Sequence, residues 1–192
     1  MKIRYAHFLI IIFMLLTTSS FAQGVKFGIG GGLSTISNST SGLSYNAGYN
    51  IAAKAKLDIP LFPLTPVVFI QYYILGGSYS FANYTGSTSQ KIFSAGIGAE
   101  YSLLPGPISP YLALDLGFNN IGEVTYQPSI PNVPSSPSIS RTGIDIGAGV
   151  NISIPFLITF DVSAKYNMLN LFGKQGGEGS ISVLNVDLMV IF

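Results

Sequence analysis

The sequence closes on Ser180-Ile-Ser-Val-Leu-Asn-Val-Asp-Leu-Met-Val-Ile-Phe192, and the reading of this stretch decides the fold. Counting back from the end, Phe192, Val190, Leu188, Val186 and Leu184 take every second position, with Asn185 and Asp187 between them. Successive side chains of a strand point to opposite faces, so the apolar set shares one face and the polar groups share the other. A carboxylate turned into a sealed apolar core is costly, and an apolar stripe turned to water is unusual. A closed barrel in lipid accommodates both, with the stripe facing acyl chains and Asp187 facing the lumen.

At the other end, Lys2 and Arg4 precede an apolar run from Phe8 to Leu16 and the small-residue site Ser20-Phe21-Ala22. That is the order of a secretory signal peptide, so residues 1–22 are expected to be removed and 23–192 to form one domain. The run is shorter than the ~20 residues that span a bilayer. No cysteine is present to carry a lipid anchor.

Of the nine Lys and Arg residues, the leader takes Lys2 and Arg4, which leaves seven against eight Asp and Glu, a net charge of −1. Nucleic acid is not the partner implied by such a balance. The only histidine is His7, so the exported chain lacks imidazole and thiol chemistry and has no disulfide framework. Charged residues make up 9% of the chain, against roughly 25% in soluble domains. The charge-free run between Asp58 and Lys91 is broken by Pro60, Pro63, Pro66, Gly76 and Gly77, which excludes a spanning helix there. Hydrophobic without a membrane helix is what a transmembrane sheet looks like.

Alternation predicts eight strands, at about 25–34, 48–59, 67–80, 90–103, 111–124, 142–154, 157–171 and 180–192. The clearest are the second, with Ile51, Ala53, Ala55 and Leu57 against Asn50, Lys54, Lys56 and Asp58, and the fifth, with Leu112, Leu114, Leu116 and Phe118 against Asp115, Gly117 and Asn119. The pattern is weakest in the third. Proline-rich turns at 60–66 and 105–110 stop pairing, because proline lacks the ladder donor; a tight turn follows at 155–156. Longer polar loops are expected at 35–46, 82–89, 125–141 and 172–179. Short turns after even strands and long loops after odd ones match the periplasmic and extracellular asymmetry of outer-membrane barrels.

With its leader, its dyad strands and a final strand ending in Phe192, the chain resembles the small eight-stranded outer-membrane barrels of the OmpA/OmpX-like kind, the outer membrane protein beta-barrel domain group, over about residues 24–192. The resemblance implies an antiparallel, up-and-down transmembrane β-barrel in the cell outer membrane of a double-membraned bacterium. It also implies that Phe192, Val190 and Leu188 form the signal read by the outer-membrane assembly machinery. The peptidoglycan-anchoring role of longer relatives is not expected to carry over.

The same alternation turns Lys26, Lys54, Lys56, Asp58, Glu100, Asp115, Asp145, Asp161, Lys165 and Asp187 inward. Eight strands leave an interior only wide enough for side chains, so these charges are expected to pair into a plug, with Asp145 and Lys165 pairing on adjacent strands. Inward glycines, among them Gly28, Gly30, Gly96, Gly98, Gly147 and Gly149, leave room for the long side chains. Gly28-Ile-Gly30 is no nucleotide loop, since no helix follows it. Pro128, Pro131, Pro134 and Pro137 recur every third residue, which puts all four on one face of a polyproline II segment that stiffens a loop or offers it to a partner. Tyr101, Tyr111, Phe156 and Phe192 near the turns, with Tyr49, Tyr79, Phe118 and Tyr126 near the loops, read as two interfacial belts.

The expected function is that of a non-enzymatic envelope barrel, structural or presenting loops for adhesion or binding. Its expected partners are outer-membrane lipids, the assembly machinery and an extracellular ligand still to be identified. No catalytic residue, cofactor or metal site is assigned. The alternatives are a narrow porin-like channel, a lipid-modifying enzyme, which would ordinarily need a histidine, and a secreted lipocalin-like barrel with its apolar faces turned inward.

Overall fold

The computed structural model describes residues 24–38, 43–59, 62–81, 84–127, 137–154 and 158–192. The expected signal peptide, the tight turn at 155–156 with its belt residue Phe156, and Pro128, Pro131 and Pro134 lie outside them; Pro137 is described and exposed.

Every regular element among the described residues is a strand. In chain order these are β1 (Val25–Asn38), β2 (Leu43–Tyr45), β3 (Gly48–Leu57), β4 (Leu64–Phe81), β5 (Tyr84–Ser102), β6 (Ile108–Ile121), β7 (Thr125–Gln127), β8 (Ile139–Ser153), β9 (Thr159–Phe172) and β10 (Ile181–Ile191). Eight of them close a ring in the order β1-β3-β4-β5-β6-β8-β9-β10, and β10 returns to β1 from Gly28↔Ile191 to Asn38↔Ile181. Each pairing is antiparallel, so the sheet has no free edge within the barrel.

The side-chain distribution is that of a globular core turned inside out. Along β10, Leu184, Val186, Leu188 and Phe192 are exposed on the outer wall, while Asn185 and Asp187 are buried in the lumen. Because the pleat has a period of two, one register shift would exchange these faces on the whole strand. The weak alternation of β4 has a structural reason. Val67 and Phe69 point inward while Val68 and Ile70 point outward, so this strand carries apolar residues on both faces.

β1, β4 and β5 run longer than expected, while β3 and β10 stop short of the expected bounds. Pairing of β4 with β5 is continuous from Leu64↔Tyr101 to Phe81↔Tyr84, so residues 84–89 are strand and not the loop expected at 82–89. Serine and threonine suggest a loop by composition, but threonine suits a pleated strand once a partner in register supplies the hydrogen bonds. For the same reason 35–38 extend β1, and β2 and β7 add short pairings to β4 and β5, giving a β2-β4-β5-β7 sheet beyond the loop end of the ring. Pro66 and Pro110, expected in turns, sit inside β4 and β6. Pro66 is paired on one side only, with Ala99, while Pro110 stands opposite Val150 and on its other side accepts from Leu103 N at 2.8 Å, past the end of the β5–β6 ladder. At the turn end, Gly106 takes φ +143°, which a side chain would resist.

Candidate functional site

The lumen is built in layers. At the turn end Lys26 and Asp58 form a half-exposed ion pair at 2.6 Å. They line a polar vestibule of about 180 Å³ together with Thr65, Ser102, Asn151 and Ser153.

Above it lies a compact ionic layer. Lys54 Nζ, from β3, is 2.9 Å from Glu100 Oε1 on β5 and 2.6 Å from Asp161 Oδ2 on β9. Lys56 Nζ reaches the same two carboxylates at 2.5 and 2.8 Å and donates to Asn151 Oδ1 at 3.0 Å. Tyr111 Oη donates to Asp161 Oδ1 at 2.8 Å, and both ammonium groups stand over the Tyr111 ring, 5.8 and 5.1 Å from its centroid. The two lysines, the two acids and Tyr111 are all buried. Two cations face two anions, which is the condition for holding charge away from water.

The next layer is held mostly by amides. Lys165 Nζ meets Asp115 Oδ2 at 2.6 Å, not Asp145 as the sequence suggested. The register explains the difference: Lys165 is opposite Gly147, and its chain crosses that glycine, where a Cβ would lie 2.6 Å from Lys165 Cγ, to reach β6. Asp187 takes no lysine among the described residues. Its oxygens accept from Asn50 Nδ2 at 2.7 Å, Gln71 Nε2 at 3.3 Å and Asn185 Nδ2. Asn167 Nδ2 donates to Tyr73 Oη and Asn185 Oδ1, both at 2.7 Å, and Tyr73 Oη donates to Gln71 Oε1 at 2.9 Å. Asp145 is buried opposite Asp115 in the β6–β8 register and joins no ion pair among the described residues.

Toward the loop end the lumen carries apolar side chains beside buried Thr88, Gln90 and Asn119. Ile36, Tyr73, Leu75, Ile92, Ile121, Leu169, Ile181 and Val183 gather into one buried cluster.

Of the ten inward charges named from sequence, Lys54, Lys56, Glu100 and Asp161 come together, Lys165 and Asp115 form a second pair, and Lys26 and Asp58 a third at the mouth. Asp145 and Asp187 stand apart from them. Tyr111 is a correction: instead of joining an interfacial belt it is a lumen residue, 1% exposed. Its parity with Asp115, four residues on, already marked it as inward. The same parity marks Asn50, Gln71, Asn167 and the apolar cluster, which lie two or four residues from inward polar positions. The clamp of Arg141 on Glu178, 2.7 Å from Nη2 to Oε2, carried no signal in the sequence. At the seam Phe192 N donates to Phe27 O at 2.8 Å and Phe27 N to Phe192 O at 2.9 Å, and the Phe192 ring is exposed with Leu188 on the outer wall.

Comparison with known proteins agrees with this architecture. Among solved structures the chain is similar to neisserial surface protein A (TM-score 0.64, 20% identity, 88% of this chain and 96% of that chain). It is also similar to the outer membrane protein OprG of Pseudomonas aeruginosa (TM-score 0.60, 11% identity, 88% and 96%). A major outer membrane protein of Thermus thermophilus is similar too (TM-score 0.53, 12% identity, 88% and 98%). At these identities the likeness is one of fold. No curated protein matches the chain by sequence. A family model described as outer membrane protein beta-barrel domain matches residues 8–192. The closed ring, its apolar outer wall and a family match over nearly the whole sequence lead to one conclusion: the chain is an outer-membrane protein that belongs to the outer membrane protein beta-barrel domain family.

Proposed function

We propose that this protein is a non-enzymatic element of the outer-membrane wall whose lumen is stoppered by its own side chains and whose outward-facing role belongs to its loop-end strands. The observation that carries the reading is the ionic layer, in which Lys54, Lys56, Glu100 and Asp161 reach from β3, β5 and β9 into the lumen at 2.5–2.9 Å separations. An interior of eight strands has little room beside such a cluster. The reading is further supported by the apolar cluster above it. Against a lipid-modifying enzyme stands the composition: the sole histidine is His7 and there is no cysteine.

The partners follow from the same geometry. Acyl chains cover the outer wall, the terminal strand with Leu188, Val190 and Phe192 is presented to the assembly machinery, and an extracellular ligand would meet the β2-β4-β5-β7 sheet or the proline-bearing segment after β7. Planar-bilayer recording tests the reading. The wild-type barrel is expected to show no steady conductance in concentrated KCl. Steady conductance of the wild type would overturn the stopper in favour of a narrow porin-like channel. Turnover of labelled lipid by the purified barrel would overturn the non-enzymatic reading.

A further inference from the structure

Asp115 and Asp145 face one another in the β6–β8 register, 2% and 5% exposed, but they do not have equal company. Asp115 is matched by the Lys165 ammonium at 2.6 Å. Asp187, the remaining acid of the layer, accepts from three amides. Asp145 has neither. Its Oδ1 has no hydrogen-bond partner among the described residues, and the same is true of Oδ1 of Asn167, which stands opposite Asp145 on β9. A buried carboxylate in this position must be matched by positive charge or lose its own.

The local packing leaves room for a partner. Most inward glycines are filled by a neighbour: an added Cβ would lie 2.8 Å from the Phe69 ring at Gly96, 2.6 Å from Lys165 Cγ at Gly147 and 2.5 Å from Tyr111 at Gly149. Gly117 is different. There the same carbon would meet nothing nearer than Asn119 Oδ1 at 3.5 Å, with Asp145 Oδ2 and Phe69 Cζ each at 3.7 Å. A hollow of methyl size is thus bounded by a carboxylate oxygen, an amide oxygen and an aromatic ring. Asn119 is fixed so that its oxygen faces inward, because Nδ2 donates to Leu169 O at 2.8 Å while Oδ1 accepts from Ser94 Oγ at 2.6 Å and keeps a second lone pair.

We propose that this hollow, bounded by Asp145, Asn119, Phe69 and Gly117, binds one monovalent alkali cation. The ligand class follows from the charge. Lys165 neutralises Asp115 and three amides hold Asp187 away from the hollow, so Asp145 is the one carboxylate bounding it, and one unit of positive charge there balances it. A divalent ion would need more carboxylate, and among the described residues no three Asp, Glu, His or Cys side chains converge to hold a metal. Oxygen donors suit a hard cation, and the Phe69 ring, which already faces the Lys165 ammonium at 5.6 Å, closes the hollow on its third side.

The test uses the full barrel folded in detergent and reads its unfolding midpoint from heat-modifiable gel mobility. NaCl, KCl and RbCl are titrated against N-methylglucamine chloride at constant ionic strength. The wild type is expected to show a saturable rise in midpoint with one or more alkali ions over N-methylglucamine, whose cation is too large for the hollow. Gly117→Ala fills the hollow and keeps the charge; Asp145→Asn keeps the hollow and removes the charge. Both are expected to lose the ion-specific rise. Equal wild-type midpoints in every salt, or an undiminished rise in Gly117→Ala, would overturn the proposal. So would a wild-type midpoint raised by acid alike in all salts, since a proton would then be the partner. If Asp145→Asn fails to fold, Gly117→Ala decides the question, and neither readout depends on whether the lumen conducts.

Discussion

The ring of Tyr111 fills the notch left by Gly149, its register partner on β8, so closely that a Cβ at position 149 would lie 2.5 Å from Tyr111 Cζ and Oη. The ring cannot swing away without breaking its bond to Asp161 and uncovering two ammonium groups. Gly149→Ala is therefore expected to cost about 1–3 kcal/mol, the usual penalty of overpacking. Gly117→Ala, whose added carbon meets only ordinary contacts, is expected to cost far less. Urea titration of the refolded barrel, with folded and unfolded bands separated on a detergent gel, ranks the two.

Asp161 holds the ionic layer together, since it takes both lysines and the Tyr111 hydroxyl. Asp161→Ala leaves two buried ammonium groups to share Glu100, and a loss of about 3–5 kcal/mol is expected. Combining it with Lys54→Met removes one of the stranded charges, so the double variant is expected to lose less than the sum of the two single changes. A double-mutant cycle by denaturant titration measures the difference.

Beyond the loop end of the barrel, the Glu178 carboxylate accepts from Arg141 Nη2 at 2.7 Å, from Asn170 Nδ2 at 2.9 Å and from the Gln175 backbone at 3.1 Å. The Arg141 hydrogen bond is the main reason its carboxyl is held down at about 2, below its usual 4.5. A folded value below the unfolded one means that the clamp stabilises the loop fully above about pH 4.5 and loses that contribution as the pH falls toward 2. Protection of the 173–180 amides against hydrogen exchange is expected to fall across this window. Glu178→Gln is expected to lower protection at neutral pH and to flatten the step.

Deleting Phe192 removes two backbone hydrogen bonds from the seam where β10 meets β1, about 1–3 kcal/mol at the usual net value of each. It also removes the aromatic ring at the end of the terminal strand. Less heat-modifiable barrel in the outer-membrane fraction is expected, with unfolded chain accumulating before insertion. Normal levels of folded protein would show that neither the seam bonds nor the ring is needed.

Face assignment was legible because it depends on parity alone. Leu184 to Phe192 outward and Asp187 inward follow from counting by twos, and so do Lys54, Glu100 and Asp161. Pairing was less legible, because it depends on how far a side chain travels across the lumen. Lys165 passes Gly147 to reach Asp115 instead of joining Asp145, and no periodicity encodes that path. By its aromatic character Tyr111 reads as a belt residue, but its parity with Asp115 is what places it in the lumen. Residues 84–89 read as a loop because serine and threonine look alike in loops and in hydrogen-bonded hairpins, and only the partner strand tells them apart.

The apolar cluster around Leu75, Ile92 and Val183 lies at the loop end of the lumen, and the polar vestibule lined by Lys26 and Asp58 at its turn end. Short turns face the periplasm in outer-membrane barrels, so this vestibule opens to that compartment past Lys26 and Asp58. Those two half-exposed charges therefore sit in the salt and pH of the compartment behind the membrane. Abrupt changes of salinity or acidity outside the cell reach them only after the periplasm itself has changed.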